Sequence, residues 1–218
     1  MTKSSIAKMI DHTLLKPDAK EDAIIKLCSE AKEYSFYSVC VNSTWVKLCA
    51  KELSNSLVKV CTVVGFPLGA VSTFGKEYET KKAIEDGAQE VDMVLNIGAL
   101  KSKLYKKASE DIHSIVKICN GKILTKVILE MCLLTEEEKK LAIQICIDEG
   151  ADFVKTSTGF SSGGATVEDV KLMRMMVGTK LGVKASGGIR SRADAERMIA
   201  AGASRLGTSS GILILTKE

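Results

Sequence analysis

"EDGAQEVDMV" (85–94), "DEGADFVKTS" (148–157) and "AAGASRLGTS" (200–209) are three versions of one corner. Each carries an amphipathic segment to a Gly-Ala pair, turns within a few residues and enters a strand-like run. Glycine supplies the left-handed residue that ends a helix. The corner therefore joins a helix to the strand after it, and its recurrence reads as a series of βα units. The spacing is too irregular for a solenoid, which keeps one fixed period.

Outward from these corners, eight runs have strand character: 10–14, 38–41, 57–64, 90–95, 123–130, 153–155, 181–185 and 205–207. Several are nearly all apolar, as parallel strands buried on both faces must be. Between them lie helical patterns at 18–33, 44–53, 74–86, 103–118, 136–149, 167–177 and 192–201. In the first, Ala23, Ile24, Leu27, Cys28 and Ala31 share one face. Asp18/Glu21, Thr135/Glu138, Thr166/Asp169 and Ser191/Asp194 stand at capping-box spacing. Eight strands alternating with helices predict an α/β protein, a closed (β/α)8 TIM barrel, formed as a single domain by residues 1–218. The chain is short beside the roughly 250 residues usual for that fold. Its loops must be brief and its final helix short or missing. An open doubly wound sheet would need a GxGxxG fingerprint after the first strand, and the sequence has none.

Composition narrows the function classes. The apolar fraction of 45% supplies a large core, and 27% charged residues is ordinary for a globular protein. A net charge of +4, with 5% aromatics and basic residues interleaved with acidic ones, suits small anions and not nucleic acid. Seven cysteines, widely spaced and without a CxxC pair, point to a reducing, cytoplasmic setting. The N-terminus lacks a signal-peptide apolar run, and no stretch approaches 18 apolar residues, so no membrane segment is expected. With only His12 and His113, no metal triad and no Ser-His-Asp arrangement assembles. Asp11 and His12 are adjacent and point to opposite faces of their strand. Cys40 reads equally as a thiol near substrate and as a buried filler.

In a barrel the chemistry gathers at the C-terminal strand ends. "FVKTST" and "GVKASGG" each place a lysine, Lys155 and Lys184, inside an otherwise apolar strand. Each lysine either snorkels to water or stays buried, which is costly unless it is paired or neutral. Two like charges close together favour each other's neutral form, and a neutral lysine amine forms Schiff bases with carbonyl compounds. Asp92 on the fourth strand offers a carboxylate across the mouth, as a salt-bridge partner, a catalytic group or both. "SGGIRS" and "GTSSG", with "STGFSSGGAT" (157–166), place three Gly/Ser-rich loops on one rim. Singly they are tight turns; together they predict a phosphate cup.

These motifs resemble those of the deoxyribose-phosphate aldolase family, class I aldolases. The resemblance runs through "IDHTLLKPDA" (10–19), "VCVN" (39–42), "VGFPLG" (64–69), "EVDMVLNIGAL" (90–100) and "KVILEMCLLT" (126–135). It continues through "FVKTSTGF" and "GGAT" (153–166), "VKASGGIR" (183–190) and "GTSSG" (207–211), nearly the whole chain. It implies reversible cleavage of 2-deoxy-D-ribose 5-phosphate to D-glyceraldehyde 3-phosphate and acetaldehyde, without cofactor or metal. It assigns the Schiff base to Lys155, the lowering of that lysine's pKa to Lys184 and assistance in proton transfer to Asp92. It places phosphate contacts at Gly159, Gly187, Gly188, Gly207, Ser209 and Ser210. Family members are often homodimers, though no surface stripe in this sequence marks such an interface. Some carry a C-terminal tyrosine that shuttles protons, whereas the last tyrosine here is Tyr105. Met131 replaces the threonine usual in that motif. The nearest rival is another phosphosugar lyase or isomerase on the same barrel. A non-catalytic phosphometabolite-binding protein would leave the two lysines without a purpose.

Overall fold

A computed structural model describes residues 2–217. Eight parallel strands close on themselves in sequence order. They are β1 (Ile10–Leu14), β2 (Ser38–Val41), β3 (Lys59–Val64), β4 (Glu90–Val94), β5 (Leu124–Ile128), β6 (Phe153–Lys155), β7 (Gly182–Ser186) and β8 (Arg205–Thr208). The barrel is closed by pairing of β1 with β8, Asp11 opposite Gly207.

The helices are α1 (Lys3–Ala7), α2 (Glu21–Glu33), α3 (Val46–Glu52), α4 (Thr73–Glu85), α5 (Ile97–Lys101), α6 (Tyr105–Cys119), α7 (Glu136–Asp148), α8 (Val167–Val177), α9 (Arg192–Ala200) and α10 (Gly211–Thr216). The last, α10, spans six residues. Gly87, Gly150 and Gly202 at the three repeated corners have φ of 105°, 74° and 116°, the left-handed geometry that stops each helix. Capping boxes form at Thr135/Glu138 and Ser191/Asp194, and the Thr166 hydroxyl accepts from the Asp169 N–H. Asp18 is not a cap. α2 starts three residues later, behind Lys20.

The main core fills the layer between strands and helices. Alternation on β4 turns Val91 and Met93 outward into it, while Glu90 and Asp92 point into the barrel, where each meets Lys126. α6 meets the sheet with Ala108, Ile112, Ile115 and Cys119, a stripe at helical spacing. Each buried Ile or Leu in this layer contributes about 1.5–3 kcal/mol relative to exposure. Among the described residues no helix is long and apolar enough to cross a membrane.

One ion pair lies inside the outer layer. Lys76 of α4 is fully buried; its Nζ donates to Asp111 Oδ2 of α6 at 2.5 Å and to the Val94 carbonyl at 2.8 Å. The Thr73 hydroxyl donates to the other Asp111 oxygen at 2.9 Å. Two helices and the end of β4 are thus pinned by one ammonium. Removing one partner of such a pair leaves an uncompensated buried charge and costs about 3–5 kcal/mol. Lys76→Met is therefore expected to lose about that much in urea unfolding, and Lys76→Met/Asp111→Leu to regain more than half of it. A single variant within about 1 kcal/mol of wild type would show that the pair carries no such weight.

Candidate active site

The barrel interior holds charges where most barrels hold aliphatic layers. Asp11 comes from β1, Glu90 and Asp92 from β4, Lys126 from β5, Lys155 from β6, Lys184 from β7 and Arg205 from β8. All are at most 4% exposed. Strand register sets Asp92 beside Lys126, Lys155 beside Lys184 and Lys184 beside Arg205.

Six of these groups form a closed circuit of alternating sign. Arg205 Nη1 lies 2.8 Å from Asp11 Oδ1, and Asp11 Oδ2 lies 2.5 Å from Lys184 Nζ. Lys184 Nζ lies 2.8 Å from Asp92 Oδ2, and Asp92 Oδ1 lies 2.7 Å from Lys126 Nζ. Lys126 Nζ lies 2.6 Å from Glu90 Oε2, which lies 3.2 Å from Arg205 Nη1 and closes the ring. Three cations face three anions. Lys155 is outside the circuit: its Nζ donates to Asp92 Oδ2 at 2.7 Å, its one carboxylate contact, whereas each ring cation has two.

The ring keeps its charges on. Burial works to raise the Asp92 carboxyl, but Lys126, Lys155 and Lys184 overcome it and hold it well below the carboxylate range. Burial opposes the Asp11 carboxylate too, and Lys184 and Arg205 outweigh it. Burial pulls Lys184 down, while Asp11 and Asp92 push it above the ordinary ammonium value. Lys126 is raised against burial by Asp92, Cys61 and Glu90, and Arg205 by Asp11 and Glu90. Lys184 is thus a fixed ammonium beside Lys155, and not one half of a pair in which both lysines are neutralised.

Space and walls are supplied by neighbours. Gly207 lets Lys184 pass: a Cβ there would stand 3.0 Å from Lys184 Cε. Leu15, Cys40, Cys61 and Val63 form a small apolar cluster apart from the main core, with Phe66 packed on it. Cys40 is therefore a filler in that wall. The Cys61 thiol, raised by burial, donates to Asp92 Oδ1 at 3.2 Å. Cys40, Cys61 and Asp92 bring ligand atoms within 4.8 Å of one another. Both Asp92 oxygens are already taken by ammoniums, so the trio would repel a metal cation.

Above Lys155 opens a cavity of about 300 Å³. Gly159, Gly187, Gly188, Gly207 and Ser209 line it, five of the six residues the sequence reading assigned to phosphate. Ser210 does not; its N–H donates to the Thr208 hydroxyl. Lys16, after β1, and Arg190, in the SGGIRS loop after β7, also line the cavity and add cationic side chains. Gly159, Gly187 and Gly188 have φ near +80° (84°, 84° and 80°), which turns these loops tightly around the opening. Gly164 packs against Gly187, and the Ala165 N–H donates to the Gly187 carbonyl at 3.0 Å. Glu130, buried and left-handed at φ 54°, accepts from the Thr158 N–H and hydroxyl and braces the β6 loop. A larger hollow of about 680 Å³ lies among Lys8, Lys32, Tyr37 and Lys59. None of the seven charged residues lines it.

The two histidines are elsewhere. His12 turns out of the barrel to Glu30 of α2 at 2.8 Å. His113 is exposed on α6 and pairs with Glu149 at 2.9 Å.

Comparison with known proteins places this geometry. The model of the DeoC/LacD family aldolases matches residues 5–217. A deoxyribose-phosphate aldolase from Halalkalibacterium halodurans is 63% identical over 215 residues, 98% of this chain and 96% of that protein. Among solved structures, the tetrameric deoxyribose phosphate aldolase from Aeropyrum pernix superposes with a TM-score of 0.92 at 34% identity. That match covers 98% of this chain and 91% of the other. A structure described as the aldolase QR15 gives a TM-score of 0.92 at 45% identity, covering 96% and 94%.

Proposed function

The chain belongs to the DeoC/LacD family of aldolases, and from that premise we propose that it cleaves 2-deoxy-D-ribose 5-phosphate reversibly through a Schiff base on Lys155. The observation that carries this reading is the placement of Lys155. It is the one barrel cation outside a neutral, closed ring, and it lines the cavity above. It has no carboxylate of its own, since it shares Asp92 with the Lys184 and Lys126 ammoniums, and a lysine amine so placed can add to a carbonyl carbon.

The reaction then follows. The open-chain sugar seats its phosphate in the cup of Gly159, Gly187, Gly188 and Ser209, with Lys16 and Arg190 offsetting its charge. Lys155 Nζ attacks C1, and loss of water leaves a protonated imine. Asp92, with the Lys184 ammonium holding it in place and a water between it and the sugar, takes the proton from the C3 hydroxyl. The C2–C3 bond breaks, its electron pair moves into the imine to give an enamine, and D-glyceraldehyde 3-phosphate leaves. Protonation at C2 and hydrolysis, which returns the water lost earlier, free acetaldehyde and Lys155. The wall of Leu15, Cys40, Cys61 and Val63 suits a two-carbon fragment. The whole barrel acts as one catalytic domain in this reading.

Borohydride reduction with acetaldehyde tests it. Peptide mass mapping should find a stable two-carbon adduct on Lys155. Labelling confined to Lys184 would reverse the two roles, and an unlabelled chain would refute the imine route.

The cup has its own test. A Cβ at Gly188 would meet nothing within 4 Å, but at φ 80° any side chain is strained, so the variant is read by comparing two substrates that share that strain. Gly188→Glu should raise KM for the phosphorylated sugar by about tenfold or more, the scale of a lost charge-assisted contact plus like-charge repulsion. Unphosphorylated deoxyribose should be affected far less. Equal losses on both substrates would place the damage in the barrel itself.

A further inference from the structure

The floor of the barrel carries a group that the aldolase reading leaves unused. Arg205 opens β8, at the opposite end from the cup. Its guanidinium carbon lies 3.3 Å from the centre of the Tyr37 ring and 5.4 Å from that of Phe153. A planar guanidinium stacked on an aromatic face has little freedom to turn, which an ammonium would keep. Its Nη1 reaches two carboxylates from two strands, Asp11 at 2.8 Å and Glu90 at 3.2 Å.

Resting on the aldolase reading, we propose that Arg205 is a positioning residue for the reaction: by bridging Asp11 and Glu90 it closes the charge ring and fixes Asp92 against Lys155. Two arms run upward from it. One passes through Asp11 and Lys184 to Asp92 Oδ2; the other passes through Glu90 and Lys126 to Asp92 Oδ1. Each carboxylate on the floor divides its charge between Arg205 below and one lysine above. Without Arg205, Asp11 and Glu90 turn their full charge on Lys184 and Lys126 and draw both ammoniums down from Asp92. Asp92 then loses the opposed pulls that orient its carboxylate, and its hold on Lys155 and on the transferred proton slackens. Arg205 touches no part of the cup, so substrate binding stays intact.

Arg205→Gln and Glu90→Gln each open the ring at a different point. Steady-state cleavage of 2-deoxy-D-ribose 5-phosphate by the full chain is the readout, with folding checked by near-UV circular dichroism. Both variants should lose kcat by about 10- to 100-fold, the scale on which a displacement of about 1 Å acts, while KM stays within about twofold. Arg205→Lys keeps the charge but not the stacked fork and should recover only part of the lost kcat. If Arg205→Gln fails to fold, Glu90→Gln, which keeps its shape and an acceptor for Lys126, decides. A folded variant with kcat within about twofold of wild type, or a rise in KM at unchanged kcat, overturns the proposal. Wild type that neither cleaves the sugar nor traps acetaldehyde on Lys155 overturns the aldolase reading, and the role of Arg205 with it. Active wild type beside unimpaired variants overturns the role of Arg205 alone.

Discussion

Six charged side chains inside the barrel, Arg205, Asp11, Lys184, Asp92, Lys126 and Glu90, neutralise one another in a closed circuit from which water is shut out. A single unpaired charge at that depth would cost several kcal/mol. Arranged in alternation, each ion has a partner on both sides, and the desolvation cost is offset around the loop. Parallel strands make this feasible, because register fixes the height of every inward side chain. Removing any one member strands two neighbours. The ring therefore constrains the barrel as much as the barrel holds the ring.

A seventh charge attached to a balanced set is the chemical consequence. Lys155 shares Asp92 with two ammoniums that have other carboxylates to turn to. The fold thus gives one lysine a setting different from that of two chemically identical neighbours. The proposed phosphate cup lies apart from this circuit, in loops after β6, β7 and β8 that line the cavity. In the proposed reaction a substrate bridging the two regions presents its carbonyl carbon to Lys155 while its anion stays at the rim.

The eight strands were legible because each is a short apolar or alternating run, and glycine corners lead into three of them, β4, β6 and β8. β2, β1 and β6 coincide with their sequence ranges. Leu57 was drawn into β3 by its apolar character but lies 94% exposed ahead of the strand. α1 and α5, five residues each, are too short to show a helical period. At the site, Asp92, Lys155 and Lys184 stand out as charges within apolar strands. Lys126 in "ILTKVILE" carries the same signal, a lysine within an apolar strand, and joins the site through Asp92 and Glu90. Glu90 and Arg205 open their strands, where a charge reads as a solvent-facing residue, and only closure of the barrel turns them inward. The sequence also suggested mutual neutralisation of two lysines. The carboxylates around Lys184 remove that symmetry and keep it charged.

The fixed ammonium of Lys184 beside the attacking amine is the centre of this account, and Lys184→Leu tests it most directly because it keeps bulk and removes the charge. The measurement is kcat/KM for 2-deoxy-D-ribose 5-phosphate from about pH 6 to about pH 10, wild type against variant. A lysine beside a fixed ammonium meets a repulsion that a lysine beside leucine does not, and that repulsion acts where both groups carry a proton. The account predicts a large deficit near pH 7 that narrows, though not to zero, towards pH 10. A deficit that stays constant across the whole range would contradict it.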